Sequence, residues 1–578
     1  MPKNVMKLLK PSPNHGRNDF DLSHRHLFPA NFGELIPGTC IETVPGDKIS
    51  LRVSDLVRAQ PMVTSPYLRA KQHVDVWFVP YNLMWSRFNE FIVDKDEPNS
   101  SNVRSRLYIP HTDLDSLANA LHTFGSTFSD VHSKKTVNLV ARNLDLLGLC
   151  GSLIDGYNQG DLQYANKKVN LWRLLAYNLI WYREYRQQYY DDGKYLLPSS
   201  MANTAAGAAF LFNMDFLACD TVQNSFLDGA NADLLQLLVA MIQPRYRTWK
   251  KDLFTGLMPS SQFGNVSLVN SAQSSQSLVK TNSNITTSFA ALEAQRASSY
   301  ILSVRQTGGQ PSNLFVNDVA TSFDILALRK SEAIQKWRER SLLAGNQVQD
   351  NFEAHYGVKP ASHMDVHPRH VASFDAPLNI GDVNATADTG VGDNRYVGDV
   401  AGKGIMSFDG SQEIRFETSD FGVMMVIYSI LPEAEYNSNG IDRMNALLER
   451  EDYFFTEYEN LGLEAVDKSV ITDNTNGTGV IGYAPRYFGY KQKLDRVCGQ
   501  FQSFQGYNGQ FSPWASPKFD VDDIAAGNPI PLSTLYVNPA VFNNNFHVAF
   551  DVVDQFLVDF YCDVEAIRQM SVSGMPGY

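Results

Sequence analysis

Three histidines and an aspartate stand close together in the segment HMDVHPRH, at His363, Asp365, His367 and His370. Imidazole nitrogens and carboxylate oxygens are common metal ligands, so this set could hold a metal ion and support a metal-dependent enzyme. Pro368, however, interrupts the helical spacing that would bring His363 and His367 to one side, and no H-E-x-x-H motif or matching cysteine set accompanies them. A hydrogen-bonded loop or a subunit contact is therefore the favoured interpretation, and the metal site is the alternative.

Glycine motifs and nucleophile motifs are the next places where chemistry could reside. GTGVIG, with Gly477, Gly479 and Gly482, matches the dinucleotide pattern G-x-G-x-x-G, but TDNTN before it and YAPRYFGYK after it predict neither a strand nor a helix start. The sequence has no G-x-S-x-G elbow, and its acidic pairs fall in predicted loops without a partner base. We therefore predict no catalytic residues, no cofactor and no enzymatic activity.

Two histidines flank an arginine in DLSHRHLFPANFGELIPG, at His24, Arg25 and His26. The stretch from Asp21 to Gly38 shows no helical or strand periodicity. From the residues alone, these side chains could be ligands, catalytic groups or part of an arm that grips another molecule.

Basic and aromatic residues are interleaved in RYRTWKK, at Arg245, Tyr246, Arg247, Trp249, Lys250 and Lys251. Cations neutralise phosphates and aromatic rings stack on bases, so the segment could bind single-stranded nucleic acid. Taken by itself, it is better explained as a surface loop whose long side chains lie along apolar neighbours.

The overall composition limits the classes of protein to be considered. The chain has 578 residues, of which 44% are hydrophobic, and a formal net charge of −13. An acidic chain repels nucleic acid at long range, so DNA binding requires a local basic surface or a basic helper protein. The longest apolar run, FGVMMVIYSIL, is too short to span a bilayer, and we expect neither a membrane span nor a secretory signal. Five scattered cysteines without a C-x-x-C pair fit a reducing cytoplasm.

Alternating apolar residues predict strands near both ends of the chain. DKISLRVSD places Ile49, Leu51 and Val53 on one face, and its polar face is expected to be hydrated or to lie at a subunit contact. HVDVWFVP repeats the pattern, and the run at Phe421 predicts a strand buried on both faces. FLVDFYCDVEA carries the pattern near the carboxyl end, at Phe556, Val558, Phe560, Cys562 and Val564. One sheet system must gather these strands, which indicates a β sandwich with long insertions rather than a string of domains.

The predicted insertions differ in character. LWRLLAYNLIWYREYRQQYY and FDILALRKSEAIQKWRERSLLAG carry apolar residues near helical spacing and predict helices. Between residues 253 and 300 only Lys280, Glu293 and Arg296 are charged, and Ser, Asn, Gln and Thr dominate. Such a segment cannot build its own core, so we predict a polar surface excursion at about residues 263–313. A loop rich in Gly and Asp at residues 379–404 has a similar character.

Several longer segments carry a family resemblance when they are taken together. They are FDLSHRHLFPANFGELIPG, PGDKISLRV, VRAQPM, VDVWFVPYNLMW, LLAYNLIWYREYRQ, RTWKKDLFTGLMPSSQFG, IQKWRERSLLAG, APRYFGYKQKLDRVCGQF and FLVDFYCDVEAIRQMSVSGMPG. In this order they resemble the successive signature segments of the microvirus major capsid proteins, in their gokushovirus-like branch. The resemblance covers most of the chain, and nine segments in register are far more specific than any single one.

The resemblance implies a fold and a function. The fold is mainly β, an antiparallel eight-stranded jelly roll of the viral capsid type with long, partly helical insertions at residues 39–578, preceded by an amino-terminal arm at residues 1–38. The implied function is that of a major capsid protein, which assembles with itself into a small icosahedral shell around a circular single-stranded DNA genome. The implied location is the virion, after assembly in the cytoplasm of the bacterial host.

Partners and contact residues follow from the same resemblance. The implied partners are the DNA, a small basic DNA-binding virion protein, other virion proteins and a bacterial surface receptor. His24, Arg25 and His26 become candidate contacts to a neighbouring subunit or to interior DNA, and the same role is considered for Arg245, Arg247, Trp249, Lys250 and Lys251. In gokushovirus-like members an insertion near the polar excursion forms a protrusion at the threefold axes. A jelly-roll lectin or host-surface binding protein, and a metal-dependent enzyme at the loop of His363, His367 and His370, are the alternatives.

Overall fold

The computed structural model describes residues 16–85, 88–92, 109–127, 133–152, 167–187, 189–190, 232–262, 280–281, 304–305, 311–312, 314–315, 325–344, 353–357, 367–384, 400–408, 412–418, 420–436, 440–471, 479–501, 511, 514–515, 518–519, 532–549, 553–570 and 572. The chain divides into two compact units. The first joins residues 1–259 to residues 361–578, and the second consists of residues 260–360.

The described part of the first unit is built around two antiparallel sheets, one of seven strands and one of five. In chain order their strands are β1 (Asn18–Asp21), β2 (His24–Ala30), β3 (Glu34–Thr43), β4 (Lys48–Ala59), β5 (Ala70–Pro80), β6 (Arg245–Tyr246), β7 (Arg369–Pro377), β8 (Asn379–Asn384), β9 (Val400–Phe408), β10 (Ile414–Glu417), β11 (Gly422–Pro432) and β12 (Phe556–Arg568). The mainly β fold with antiparallel sheets that the sequence predicts is confirmed.

The seven-stranded sheet is built around the last strand of the chain. β12 pairs with β1 and β2 along one edge and with β4 along the other, and β4 in turn pairs with β9 and β10. In register, His24 lies opposite Cys562, and Phe560 lies opposite Asp55. The five-stranded sheet has the order β7-β5-β11-β3-β6. Strands from both ends of the chain thus share one sheet, as the alternating patterns predict.

The main core lies between the two sheets. Its inward side chains include Ile49, Leu51 and Val53 of β4 and the five predicted positions of β12. Along β11 successive side chains enter different layers: Met424 and Val426 belong to the core between the sheets, whereas Val423 and Met425 face the other side. The prediction of a strand buried on both faces is confirmed, because both layers exclude water from β11.

A helical layer covers the outer face of the five-stranded sheet. It consists of α1 (Leu114–Thr127), α2 (Ser133–Leu146), α3 (Trp172–Ile180), which continues as a π-helical turn at Trp181–Tyr185, and α4 (Ala232–Ile242). These helices share a second hydrophobic cluster with Trp77, Val79 and Met425 of the sheet. Almost every residue of α3 is buried, as expected for a helix that is apolar on all sides.

Shorter elements complete the first unit. The paired strands are His111–Asp113 with Lys168–Asn170, Leu463–Asp467 with Val480–Pro485, and Glu435–Tyr436 with Lys518–Phe519. The short helices are Tyr81–Met84, Phe88–Ile92, Arg443–Ala446, Arg450–Asp452, Thr456–Tyr458, Lys468–Val470, Phe488–Lys491, Gly499–Phe501, Leu532–Leu535 and Pro539–Phe542. Within the described ranges, no helix is long and apolar enough to cross a membrane.

The second unit contains a long helix, α5 (Ile325–Ala344), in the segment where a helix is predicted. Two-residue ladders join Lys280–Thr281 to Leu314–Phe315 and Val304–Arg305 to Pro311–Ser312. The predicted polar excursion at residues 263–313 belongs to this unit, but most of it lies outside the described residues, so its surface position stays a prediction.

Candidate functional site

The amino-terminal candidates lie in strand β2. Its burial alternates, with His24, His26 and Phe28 directed inward and Arg25 and Leu27 directed outward. The absence of strand periodicity inferred from the sequence is thus wrong, because two histidines occupy inward positions where apolar residues are expected. The part of the predicted arm from residue 18 to residue 30 consists of sheet strands paired to β12.

His24 and His26 are held by neighbours in the same chain. His24 Nδ1 lies 2.8 Å from the Leu22 carbonyl oxygen, which can only accept, so Nδ1 carries the proton. The other ring nitrogen, Nε2, is hydrogen-bonded to the Thr39 hydroxyl at 2.5 Å. Burial lowers the pKa of His26, and the adjacent His24 ring, 4.9 Å away between centroids, lowers it further. Both rings therefore act as polar packing elements beside the core.

Arg25 is the outward member of the three. Its Nε and Nη2 donate to the two carboxylate oxygens of Asp559 on β12, each at 2.6 Å. This two-point contact lowers the pKa of Asp559. Because Arg25 is exposed, it is the one member of the histidine–arginine set that a neighbouring molecule could reach directly.

The RYRTWKK segment separates into buried and exposed residues. Arg245 is buried, donates to Asn178 Oδ1 at 2.8 Å and lies over the ring of Trp181. Trp249 is also buried and stacks near Phe542 in the main core. The candidate role of these two residues as DNA contacts is thus corrected, since neither side chain reaches the surface of the folded chain.

Arg247 belongs to a polar network centred on Asp75, an almost fully buried residue of β5. The Asp75 carboxylate accepts from Ser373 Oγ at 2.6 Å, from the Tyr185 hydroxyl at 2.6 Å and from Arg247 Nη1 at 3.2 Å. Burial raises the pKa of Tyr185 well above its usual value, and the Asp75 charge adds to this effect. Asp75 thereby ties β5 to β7, to the end of α3 and to the basic segment.

The order of donors in this network is not that of a catalytic triad. His370 Nε2 lies 2.7 Å from Ser373 Oγ, whose single proton is directed to Asp75. His370 must therefore donate to the serine, whereas an activated serine nucleophile donates to its histidine. The arrangement accordingly provides no activated nucleophile at Ser373.

A cavity of about 510 Å³ opens beside the network. On its wall His73 Nδ1 lies 2.6 Å from Asp375, and Lys250 Nζ lies 3.2 Å from Glu433. Burial lowers the pKa of His73, as does Arg247, while Asp375 opposes the shift. Cations and carboxylates are paired around the cavity, so these groups mainly stabilise one another. Lys250 and Lys251 are exposed and remain available to a partner.

The histidine loop is described only in part. His363 and Asp365 lie outside the described residues, whereas His367 is buried with its Nδ1 3.9 Å from Glu184, and His370 contacts Ser373. In the described ranges, no three His, Cys, Asp or Glu side chains form a possible metal site. The metal alternative stays untested at residues 363 and 365.

Two buried acids of the five-stranded sheet, Asp75 and Glu34, are structural residues that the sequence patterns did not single out. Asp75 lies in the apolar segment HVDVWFVP, and Glu34 lies in NFGELIPG. Glu34 accepts from Arg142 Nη1 of α2 at 3.1 Å and from the Asn31 backbone N–H at 3.1 Å. For Asp75 the available signal is an acid within a predicted strand, because a buried charge needs a partner. For Glu34 no such signal exists, since no strand is predicted for its stretch.

Comparison with known proteins assigns the chain to a family. The sequence matches the family described as "Capsid protein (F protein)" over residues 11–116 and 151–578, which is most of its length. The chain belongs to this family of phage capsid proteins. It is 22% identical to the "Capsid protein VP1" of Chlamydia phage 1, with 97% of this chain and 95% of that protein covered.

A second relative gives the same result. The "Capsid protein VP1" of Bdellovibrio phage phiMH2K is 22% identical, with 98% of this chain and 96% of that protein covered. The resemblance to microvirus major capsid proteins, in their gokushovirus-like branch, is therefore confirmed, and so is the capsid role. As a member of a capsid family, the chain is a structural protein that assembles with itself into a shell.

Proposed function

We propose that this capsid protein forms the small icosahedral shell of a virion, encloses a circular single-stranded DNA genome and assembles in the cytoplasm of a bacterial host. The observation that carries the proposal is the family match over most of the chain, together with two phage capsid relatives that align end to end. The lectin and metal-enzyme alternatives account only for fragments of the chain.

The pairing order of the strands supports a jelly roll. We number β2, β3, β4, β5, β7, β10, β11 and β12 from one to eight. The first then pairs with the eighth, the second with the seventh, the third with the sixth and the fourth with the fifth. Such nested antiparallel pairs form one long ribbon, and winding that ribbon into two facing sheets gives an eight-stranded jelly roll. The long insertions lie between these strands.

The acidic character of the chain bears on how it holds DNA. With a net charge of −13, the subunit needs local cations or a separate small basic virion protein to accommodate the genome. We propose both, with Lys250 and Lys251 as direct contacts and other virion proteins as further partners. Arg247 is left out of the contact set because its side chain is only 21% exposed and its guanidinium donates to the buried Asp75, whereas Lys250 is 67% exposed and its partner Glu433 is at the surface.

Neutralising the exposed lysines tests the DNA contact. We expect Lys250→Gln/Lys251→Gln particles to retain less nuclease-protected single-stranded DNA. We also expect the magnitude of the slope of log affinity against log salt to fall by up to about 1.4. Each phosphate contact on a single strand releases about 0.7 counterion when it forms, and the variant lacks two such contacts. DNA content is measured by absorbance, and affinity is measured with a labelled oligonucleotide and dissociated subunits.

The matched control is Lys491→Gln/Lys493→Gln. It also removes two exposed lysines. One of them, Lys493, lies near the Asp442 carboxylate, as Lys250 lies near that of Glu433. If the two double variants lose DNA and salt dependence equally, the effect is one of net charge and the Lys250/Lys251 contact is refuted.

We further propose that the polar excursion at residues 263–313 projects outward, next to a threefold axis, and binds the bacterial receptor. Its composition supports the proposal, because a segment with so few apolar and charged residues suits a hydrated, adaptable loop carried by a rigid scaffold. Replacing residues 273–288 by a short Gly/Ser linker is expected to leave particle yield near normal, since changing a loop length twofold costs about 0.6 kcal/mol. Adsorption to host cells should fall at least tenfold.

The comparison for this variant is the same replacement at residues 386–397, in the second polar loop. Adsorption should then stay near the wild-type level. The loop predicted at residues 379–404 is wrong at both ends, because residues 379–384 and 400–404 lie in strands β8 and β9. A fall in adsorption with that replacement alone would move receptor binding to the segment between these two strands. Failure of the first variant to assemble would make its segment an internal structural element.

A further inference from the structure

The outward face of the seven-stranded sheet carries large apolar side chains. We call it the outer sheet face and define it by Leu27, Leu56, Ile405, Leu557 and Tyr561, which alternate with inward residues along β2, β4, β9 and β12. All five are exposed. The exposed fraction is 67% for Leu27 and 53% for Leu557. The five-stranded sheet has its outer face covered by helices, so the two sheets differ in this respect.

The strand register brings these side chains together. Leu27 and Leu56 lie opposite Asp559, one on each side of β12. Leu557 and Tyr561 precede and follow Asp559 by two positions and therefore share its face. Diagonal neighbours of this kind lie about 7–8 Å apart, within reach of large side chains. The exposed apolar residues therefore cluster around the Arg25–Asp559 pair and are not isolated surface positions.

Charges of both signs lie within the patch and beside it, and several of them are paired within the chain. The pairs are Arg25–Asp559, Lys48–Glu417, Arg52–Glu413 and Arg415–Glu413. Asp563 and Glu565 share the outward side of β12 with Asp559, so the face offers a polyanion little net attraction. Exposed apolar side chains combined with paired charges are instead suited to a protein–protein contact.

The dimensions of the face also fit a protein partner. β12 has 13 residues and is therefore about 43 Å long at about 3.3 Å per residue. The sheet path of five strands is about 19 Å wide at about 4.8 Å between strands. The product, about 800 Å², is an upper limit because β1, β8 and β9 are shorter than β12, and it compares with the roughly 800 Å² that one partner contributes to a standard interface.

We propose that the outer sheet face packs against a second copy of this chain in the assembled shell. The proposal rests on the capsid function, which requires contacts between copies. It identifies the apolar side chains around the Arg25–Asp559 pair as the centre of one such contact.

The test places charges at the centre of the patch. Leu56→Asp/Leu557→Asp is expected to give folded subunits with an unchanged far-UV spectrum, because both positions are exposed in the single chain. Closed particles, counted by electron microscopy, should fall at least tenfold, since the contact would bury unpaired carboxylates. Leu448→Asp is the control, because Leu448 is also an exposed leucine but lies elsewhere, and it should assemble normally. A wild-type yield from the double variant overturns the proposal.

A second measurement decides the matter even if the charged variant misfolds. Leu557→Cys is labelled with a bulky maleimide, and modification of residue 557 is read by mass spectrometry. We expect at least tenfold slower labelling in intact particles than in dissociated subunits, with or without DNA inside. Equal rates would refute the contact, and protection that disappears in DNA-free particles would assign the face to the genome. Absence of particles from the wild-type chain would instead refute the proposed shell function itself.

Discussion

Removal of residues 1–30 is expected to leave no soluble, folded protein. The deletion eliminates β1 and β2 and takes Phe28, which packs against Tyr428 and Phe560, out of the main core. Loss of a buried phenylalanine alone costs about 3–5 kcal/mol, against a total stability of about 5–15 kcal/mol for a typical domain. It also opens one edge of β12 to pairing with other chains. The soluble fraction after expression and the far-UV spectrum measure the result.

The control changes the same strand without removing it. Arg25→Ala/Leu27→Ala alters only outward positions, so the subunit should remain soluble and melt cooperatively. A truncated protein that is equally soluble and cooperative would show that residues 1–30 are a dispensable arm, as the division at residue 38 implies, rather than part of the sheet.

Substitution of Asp75 by alanine is expected to destabilise the subunit by about 3–5 kcal/mol. The change removes the acceptor of three hydrogen bonds and leaves the partly buried Arg247 guanidinium and the Tyr185 hydroxyl without that partner. Denaturant unfolding of dissociated subunits, monitored by circular dichroism, measures the free energy of unfolding.

Asp375→Ala is the matched comparison in the same cavity. Asp375 also forms a short contact, to His73, but its side chain is 51% exposed, so solvent screens the pair. We expect a loss below about 1 kcal/mol. Equal losses for the two alanine variants would contradict the central role of Asp75 in joining the sheet to the helical layer.

The strands of the two sheets could be predicted where the apolar alternation is strong. In β4 and β12 the alternating apolar residues are strong enough to predict the strands, and the structure buries them; the inward series of β4 is interrupted by one buried acid, Asp55. β2 escaped prediction because His24 and His26 fill inward positions with polar rings. Its pairing partner is also more than 500 residues away in sequence, as the Arg25–Asp559 contact shows. A local pattern carries no information about such a partner.

The candidate DNA contacts in RYRTWKK also show that a local sequence pattern does not reveal which neighbours a residue meets in the folded chain. RYRTWKK has the composition of a nucleic-acid-binding loop, yet Arg245 and Trp249 are used to join the helical layer and the core. The Asp75 network could not be predicted, since its members come from separate segments that meet only in the folded chain. Composition identifies which groups can bind phosphate, but burial decides which of them can reach it.

An electron cryomicroscopy reconstruction of particles purified from cells that express the full-length chain tests the proposed shell function. We expect closed icosahedral shells of uniform diameter, with two facing antiparallel sheets in each subunit and nuclease-protected single-stranded DNA inside the particles when the phage genome is present. A chain that stays monomeric, or that forms only irregular aggregates under conditions that keep phage particles intact, would contradict it.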